Sequence, residues 1–245
     1  MKVAILGAAG RMGQMLCKLG DANPYMEIVA KCDIADGFDK DWPADTDAVI
    51  DFTFHSAVPA NIAKAVETNS AFVLGTTGLT AEEEKAVADA SAKIPVVKSA
   101  NMSLGVNLLL ELVRKAASVL GNEYDIEVVE MHHRLKKDAP SGTALMLANA
   151  AADGRNVKLD DVACYGREGL VGERPAGEIG VHALRGGSVV GDHTVMFAAD
   201  VERVEITHKA QSREAFAAGA LRAAVWAAGK KPGVYSMRDV LGLDG

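Results

Sequence analysis

Short apolar runs alternate with amphipathic stretches along the first hundred residues of the chain. The apolar runs, each of strand length, lie at 3–6, 28–32, 47–51, 71–74 and 95–98. The amphipathic stretches between them lie at 11–20, 56–68 and 80–91. Thr80 and Glu83 form a capping-box pattern at the start of the last one. This alternation predicts an α/β fold with a doubly wound parallel sheet and right-handed crossovers.

The pattern changes after Gly105. A helix is predicted over 105–120, then a strand over 126–130, and a second helix that begins at Ser141. Further strands are predicted near 179–184, 193–199 and 202–208. In the last two, apolar residues alternate with polar ones, which is typical of an antiparallel sheet with one covered face. We therefore predict a second, α+β domain with a mostly antiparallel sheet.

The last predicted helix, over 213–228, is rich in alanine and is expected to pack back on the first domain. The predicted domains are thus residues 1–104 with 213–245, and residues 105–212. The first of these has the pattern of a dinucleotide-binding domain.

A glycine-rich turn follows the first predicted strand, with the spacing Gly-x-x-Gly-x-x-Gly. A strand, a glycine turn and a helix in this order bind a dinucleotide, because glycine lets the backbone approach the pyrophosphate at the helix N-terminus. Asp33 ends the second strand, twenty positions after Gly13, where an acidic residue meets the ribose hydroxyls. The cofactor residues predicted in the turn are Gly7, Ala8, Ala9, Gly10, Arg11, Met12 and Gly13.

Small or polar residues stand at the carboxyl ends of the next three strands, as a cofactor cleft at that edge of a Rossmann-type sheet requires. The cofactor contacts predicted there are Phe52, Thr53, Gly75, Thr76, Thr77, Asn101 and Met102. Ordinary turn chemistry favours the same residue types, so both interpretations stay open. Asp33 would repel a 2′-phosphate and Ile34 adds no positive charge, which favours NADH. Arg11 keeps NADPH open as a second cofactor.

The composition is that of an ordinary soluble globular protein, with 245 residues, 49% hydrophobic and 24% charged. The formal net charge of −7 argues against a nucleic-acid partner. No apolar run approaches the ~20 residues of a membrane span, and the first is too short for a signal peptide. The three cysteines form no Cys-x-x-Cys motif, and no cluster of ligand residues has metal spacing. We expect a cytoplasmic protein without a resident metal or a membrane partner.

Positive charge is concentrated in one short run of this acidic chain. Five of the six positions from His132 to Lys137 can carry it, and such a cluster focuses a small anion. Ser141, Gly142 and Thr143 follow at a predicted helix start, whose free N–H groups and dipole favour a carboxylate. We predict that these three residues bind one carboxylate of the substrate, although a plain helix cap explains Ser141 equally well.

His132 and Lys136 are the candidate proton donors. Histidine titrates near neutrality, and a lysine can donate a proton or neutralise developing negative charge. The alternatives are a structural histidine at a strand end and a solvated lysine, the fate also expected of Lys137.

The neighbours of these two residues have more than one interpretation. Arg134 either binds a carboxylate or pairs with Glu130, Asp138 is expected to order the loop, and Leu135 indicates that the cluster has one packed side. Further along the chain, Arg185 and His193 flank a glycine loop that either closes on the substrate or forms an ordinary hairpin.

The segment from Glu127 to Ala144 resembles the signature of the 4-hydroxy-tetrahydrodipicolinate reductase (dihydrodipicolinate reductase) family at every fixed position. Those positions are Glu127, Val128, Glu130, His132, Lys136, Asp138, Pro140, Ser141, Gly142, Thr143 and Ala144. The resemblance extends over essentially the whole chain and includes the glycine turn and the stretches 51–53, 75–78, 101–107 and 185–193.

The resemblance implies an oxidoreductase of lysine and diaminopimelate biosynthesis. Such an enzyme reduces 4-hydroxy-tetrahydrodipicolinate (dihydrodipicolinate) to tetrahydrodipicolinate with NADH or NADPH. Hydride goes to ring C4, and a protein acid, here His132 or Lys136, supplies the proton. The resemblance also implies that His133 holds a carboxylate of this small dicarboxylate substrate. A homotetramer formed through the sheet of residues 105–212 is implied as well.

Two other functions are weighed against this one. A different Rossmann dehydrogenase, acting on an amino acid or a semialdehyde, would need another polar set such as a catalytic cysteine, and Cys164 lies in a charged loop without an activating motif. A sensor that binds NADH without turnover would have no need of His132 and Lys136, and both are present.

Overall fold

The computed structural model describes residues 1–243 and divides the chain into two folded units. The first unit contains Met1–Leu104 and the segment that begins at Arg213, and the second contains Gly105–Ser212. Each unit has its own sheet. The predicted fold class, a Rossmann-type parallel sheet plus a second α+β domain, is confirmed.

The elements follow the predicted order closely. The strands are β1 (Lys2–Leu6), β2 (Glu27–Cys32), β3 (Ala48–Asp51), β4 (Ala71–Leu74), β5 (Pro95–Lys98), β6 (Asp125–His132), β7 (Ala163–Tyr165), β8 (Ile179–Arg185), β9 (Gly191–Ala198), β10 (Arg203–Ala210) and β11 (Gly233–Tyr235). The helices are α1 (Arg11–Asp21), α2 (Val58–Glu67), α3 (Ala81–Ser91), α4 (Leu104–Leu120), α5 (Gly142–Gly154), α6 (Leu159–Val162), α7 (Glu214–Ala227) and α8 (Met237–Leu241). Within residues 1–243, no helix combines the length and apolar content needed to cross a membrane.

The sheet of the first unit has the order β11-β5-β4-β3-β1-β2, and every pair is parallel. Strands β3 and β4 are buried along their whole length because helices cover both faces. Ile5, Ile50 and Val73 pack on one face with α1 and α7, whereas Leu6 and Val49 pack on the other with α2 and α3. Helix α7 therefore packs on the first unit, as predicted.

The sheet of the second unit has the order β10-β9-β6-β8-β7 and is mixed. Strand β9 is antiparallel to β6 and β10, whereas β8 runs parallel to β6 and β7. One face carries Ile126, Val128, Val195 and Phe197, which form a core with residues of α4 and α5, including Leu147. Side chains of β6 alternate between this face and the opposite one. Glu130 and His132 thus lie on the core side, whereas Glu127 points away from it.

Some local predictions differ from the structure. Strand β6 continues to His132, two residues beyond its predicted end, because the backbone there pairs with Arg185 of β8. Val204 is exposed, since its strand β10 lies at the sheet edge. The sequence prediction also missed four short elements, β7, β11, α6 and α8, which contain three to five residues each. Such segments are too short for hydrophobic periodicity to reveal.

Candidate active site

The glycine turn between β1 and α1 is packed too tightly for side chains. A Cβ on Gly7, whose φ is +80°, would lie 2.4 Å from the carbonyl oxygen of Phe52, and a Cβ on Gly13 would lie 2.1 Å from that of Gly7. Helix α1 begins after Gly10 without a side-chain cap. Its first amides therefore remain available to an anion such as a pyrophosphate.

Asp33 lies beside this turn and is held by backbone amides. Its carboxylate accepts hydrogen bonds from the N–H of Ala9 at 2.9 Å and of Ala35 at 3.1 Å. Chiefly the bond from Ala35, and then that from Ala9, hold the pKa of Asp33 below its usual value, against the effect of burial. The Ala9 amide, predicted for the cofactor, is thus occupied by Asp33.

Lys40 is a positive group beside Asp33 that sequence reasoning missed. Its ammonium group donates to the carbonyl oxygens of Asp33, Ile34 and Ala35, at 2.9, 3.0 and 2.6 Å. No pattern in the sequence connects Lys40 with Asp33, because the contact arises where the chain folds back after β2.

Asp51, at the carboxyl end of β3, joins two of the predicted cofactor loops. It is fully buried and accepts hydrogen bonds from the hydroxyl groups of Thr53 and Thr76, at 2.7 and 2.8 Å. The amide group of Asn61 donates to its second oxygen at 2.8 Å. The carboxylate therefore sets the positions of the loops after β3 and β4, and its role was not evident from the sequence.

A cleft opens at the carboxyl edge of the first sheet. Its lining residues are Met12, Phe52, Gly75, Ser99, Ala100, Asn101, Met102, Arg213 and Phe216. Five of these were predicted as cofactor contacts, and the other four, Ser99, Ala100, Arg213 and Phe216, were not. A Cβ on Gly75 would lie 2.3 Å from Cζ of Phe52, so the glycine allows the aromatic ring to stand in the cleft.

The second unit contains a buried carboxylate–imidazole pair on β6. Glu130 is 0% exposed, and its Oε2 lies 2.5 Å from Nδ1 of His132. His132 is 8% exposed. Two residues apart on one strand, the two side chains share a face, as the alternation of a β-strand requires. Because Nδ1 is bound to Glu130, Nε2 is the ring nitrogen that a ligand can use.

Arg185, from the end of β8, neutralises Glu130. Its guanidinium donates to both carboxylate oxygens, at 2.8 and 2.9 Å, and to the carbonyl oxygen of Asp138 at 2.6 Å. Burial opposes ionisation of Glu130, but the hydrogen bonds from Arg185 and His132 hold its pKa below the usual value. The predicted alternative that Arg134 pairs with Glu130 is wrong, since Arg134 is exposed and Arg185 takes that place.

Ser141 and His193 complete the buried part of the site. The Ser141 hydroxyl caps α5 by accepting from the N–H of Ala144 at 3.1 Å, and it lies 3.1 Å from Nε2 of His193. The His193 ring stands edge-on to that of His132, with centroids 5.1 Å apart. Burial, and then the nearby His132, lower the pKa of His193 to about 4. His193 is therefore neutral at neutral pH, and it belongs to this cluster rather than to an ordinary surface hairpin.

The residues of the cationic run, His132 to Lys137, differ in how many contacts their side chains make. Lys136 pairs with Asp138 at 3.0 Å, and the ion pair keeps the pKa of Asp138 below its usual value. Nδ1 of His133 is buried and has no hydrogen-bond partner within residues 1–243. Leu135 is 79% exposed, so the prediction of a packed side for the cluster is wrong.

The predicted carboxylate site at the start of α5 has a buried and an accessible part. Ser141 is 1% exposed, and its backbone N–H donates to Glu130 at 3.1 Å. Gly142 is exposed and Thr143 is half-buried. Gly142 and Thr143 are thus more exposed than Ser141 at this helix N-terminus.

Family models match both parts of the chain. The model of the dihydrodipicolinate reductase N-terminus matches residues 1–102, and that of the C-terminus matches residues 105–241. The chain belongs to the dihydrodipicolinate reductase family. Membership confirms the resemblance found in the sequence and makes the chain an oxidoreductase with a nicotinamide cofactor. It argues against both a different dehydrogenase and a sensor without turnover.

Relatives within the dihydrodipicolinate reductase family are similar over their full length. A 4-hydroxy-tetrahydrodipicolinate reductase from Akkermansia muciniphila is 49% identical and covers 99% of this chain and 98% of its own. The enzyme of the same name from Anaeromyxobacter dehalogenans is 46% identical and covers 100% and 98%. Among solved structures, a dipicolinate-bound dihydrodipicolinate reductase from Paenisporosarcina sp. TG-14 has the same fold, with a TM-score of 0.78, 24% identity and 98% coverage of both chains.

Proposed function

We propose that this member of the dihydrodipicolinate reductase family reduces 4-hydroxy-tetrahydrodipicolinate to tetrahydrodipicolinate, in lysine and diaminopimelate biosynthesis. The observation that carries the proposal is the Glu130–His132 pair, buried beside a cationic run and a helix N-terminus. An acid next to groups that bind carboxylates is what the reduction of a ring dicarboxylate needs. The names of the relatives support the same reaction.

The substrate proposed is a small cyclic dicarboxylate. The Paenisporosarcina enzyme has dipicolinate bound. In this chain, we assign one carboxylate to the N-terminus of α5 at Gly142 and Thr143, where the helix dipole favours negative charge. We assign the other to His133, whose buried Nδ1 lacks a partner in the described chain. Ser141 does not contact the carboxylate in this assignment, and its hydroxyl caps α5 and fixes the start of that helix.

The reaction adds one hydride and one proton to the ring after the hydroxylated substrate has lost water. A bound nicotinamide cofactor supplies the hydride to ring C4. His132 supplies the proton from Nε2, while Glu130 keeps its carboxylate charge and holds Nδ1. Lys136, half-buried and paired with Asp138, neutralises the negative charge that develops on the ring.

The cofactor cleft fits NADH better than NADPH. The glycine turn has the close approach that a pyrophosphate requires. The carboxylate of Asp33 is positioned by the N–H groups of Ala9 and Ala35 and would repel a 2′-phosphate. The ammonium group of Lys40 is committed to three carbonyl oxygens, so it offsets this repulsion only in part. We propose NADH as the preferred cofactor and NADPH as the weaker one.

We also propose that the enzyme is a homotetramer formed through the second sheet. The face of this sheet opposite α5 presents Val129, Met131 and Leu184, and Leu184 is 51% exposed. Apolar side chains on a sheet face are stabilised when a second copy covers them. Sedimentation equilibrium tests this state, and a monomer at micromolar concentration would contradict it.

The activity is tested by following the oxidation of NADH and NADPH with substrate freshly generated from pyruvate and aspartate semialdehyde. We expect rapid oxidation by the wild type and a loss of about 100-fold or more in kcat for His132→Ala and Lys136→Ala. Lys137→Ala is the matched control, because this neighbouring lysine is exposed. A wild type that binds NADH without oxidising it would contradict the proposed function.

A further inference from the structure

The carboxylate of Glu130 is fully buried and is surrounded by four hydrogen-bond donors from other residues. Oε1 accepts from Nη2 of Arg185 at 2.8 Å and from the N–H of Ser141 at 3.1 Å. Oε2 accepts from Nη1 of Arg185 at 2.9 Å and lies 2.5 Å from Nδ1 of His132. A buried carboxylate is costly unless its charge and its lone pairs are matched, so this arrangement needs a functional reason as much as a structural one.

We infer that Glu130 is a positioning residue for His132, with Arg185 fixing the Glu130 carboxylate and Gly191 leaving the space for the imidazole ring. The inference rests on the proposed role of His132 as proton donor. It assigns to Glu130, Arg185 and Gly191 a part in the reaction without a contact to the substrate.

The first consequence concerns the tautomer of His132. Arg185 and Ser141 donate to Glu130, so the carboxylate is an acceptor throughout, and Nδ1 of His132 must carry the hydrogen that it shares with Oε2. When the imidazolium gives its Nε2 proton to the substrate, the ring becomes neutral with its hydrogen on Nδ1. Glu130 stays ionised, and solvent returns a proton to Nε2. A ring in the other tautomer would have no lone pair on Nε2 to receive that proton.

The second consequence concerns Gly191, on the neighbouring strand β9. A Cβ at this position would lie 2.9 Å from Nε2 of His132 and 3.4 Å from Cδ2. Its backbone has no positive φ, so alanine is compatible with the strand itself. A side chain at Gly191 therefore displaces the His132 ring, and we expect this displacement to weaken the bond between Nδ1 and Glu130.

The variants that test the inference are Glu130→Gln and Gly191→Ala, each measured for kcat, for KM and for the tautomer of His132 by long-range ¹H–¹⁵N correlation. We expect the wild-type ring to carry its neutral-state hydrogen on Nδ1. In both variants this signal should give way to the Nε2–H form that free histidine favours. We expect kcat to fall on the order of 100-fold, with KM for NADH changed less than about twofold.

Two control variants match these changes. Glu127→Gln removes a carboxylate from the same strand, where it accepts from Arg167, Arg174 and His182 on the opposite sheet face. Gly229→Ala adds a Cβ with no heavy atom within 4 Å, at a glycine of the first unit outside the site. Both should retain the wild-type tautomer of His132 and a kcat within about twofold of wild type.

The outcomes separate this inference from the proposed function. If the wild type has no reductase activity, the proposed function fails, and the tautomer still decides whether Glu130 positions His132. A wild-type Nε2–H tautomer overturns the inference. If Glu130→Gln does not fold, Gly191→Ala decides, and wild-type kcat with an unchanged tautomer in that variant would overturn it.

Discussion

Arg185 and Glu130 lie 55 positions apart in the sequence and form a two-point ion pair inside the second unit, with N–O distances of 2.8 and 2.9 Å. Parallel pairing of β6 with β8 brings them together, because it sets His132 opposite Arg185. The guanidinium also donates to the carbonyl oxygen of Asp138, in the loop that carries Lys136. One arginine thus connects the proposed proton donor, its carboxylate and the cationic loop.

The ion pair predicts a large loss of stability when one partner is removed. Arg185→Met leaves the fully buried Glu130 carboxylate without its main compensating charge. We expect the free energy of unfolding to fall by about 3 kcal/mol at neutral pH, measured by urea denaturation. The double variant Glu130→Gln/Arg185→Met should recover part of that loss. A single-variant loss below about 1 kcal/mol would show that the pair is better solvated than its burial indicates.

His193 predicts a pH dependence of stability. Its pKa is lowered from 6.5 to about 4 in the folded protein, chiefly by burial. As the pH falls below 6.5, the unfolded chain takes up a proton before the folded one does, so stability decreases between pH 6.5 and pH 4. The contribution is about 3 kcal/mol, since each pKa unit corresponds to about 1.4 kcal/mol.

The measurement for His193 is the free energy of unfolding of wild type and His193→Gln at several pH values. Glutamine keeps a polar group near Ser141 but does not titrate. The difference between the two proteins should change over the interval from pH 6.5 to pH 4 and stay constant above it. A difference that is independent of pH would contradict the lowered pKa.

Asp33 predicts the cofactor preference. Asp33→Asn removes the negative charge that would repel a 2′-phosphate while it keeps an acceptor for the amide of Ala9. We expect the ratio of kcat/KM for NADH to that for NADPH to fall about tenfold, which corresponds to about 1.4 kcal/mol. Lys40→Ala should raise KM for both cofactors, because the loop of residues 33–35 loses three hydrogen bonds. An unchanged ratio in Asp33→Asn would place the discrimination elsewhere.

A side chain at Gly75 is expected to weaken cofactor binding specifically. A Cβ at Gly75 overlaps the ring of Phe52, so this half-buried ring has to shift from its place in the cleft. Gly75→Ala should therefore weaken NADH binding about tenfold, measured by fluorescence titration, and reduce stability by about 1 kcal/mol. Gly229→Ala, where nothing lies within 4 Å of the added Cβ, is the neutral control. Equal NADH affinity for Gly75→Ala and wild type would show that Phe52 does not shape the site.

Hydrophobic pattern and motif spacing alone determined most of the first unit. The five strands up to β5 and their helices were predicted within three residues of their observed bounds. Their signals are local, since buried parallel strands are continuous apolar runs and helix starts have their own capping residues. The caps at Thr80 and Ser141 and the turn from Gly7 to Gly13 belong to this class. The candidate chemistry of His132 and Lys136 was equally visible, because it lies in one short segment.

Only the tertiary structure decided which of these residues act together. The sequence pattern named Glu130, Arg185 and His193 separately, and the partner that it offered Glu130, as one of two alternatives for Arg134, is not the observed one. The three meet because β6, β8 and β9 are neighbours in one sheet, a pairing that depends on register between distant segments. The contact of Lys40 with the Asp33 backbone and the exposure of the Leu135 side chain also depend on tertiary structure. Local sequence determines the conformation of a segment, whereas contacts between segments follow from how their faces are buried against one another.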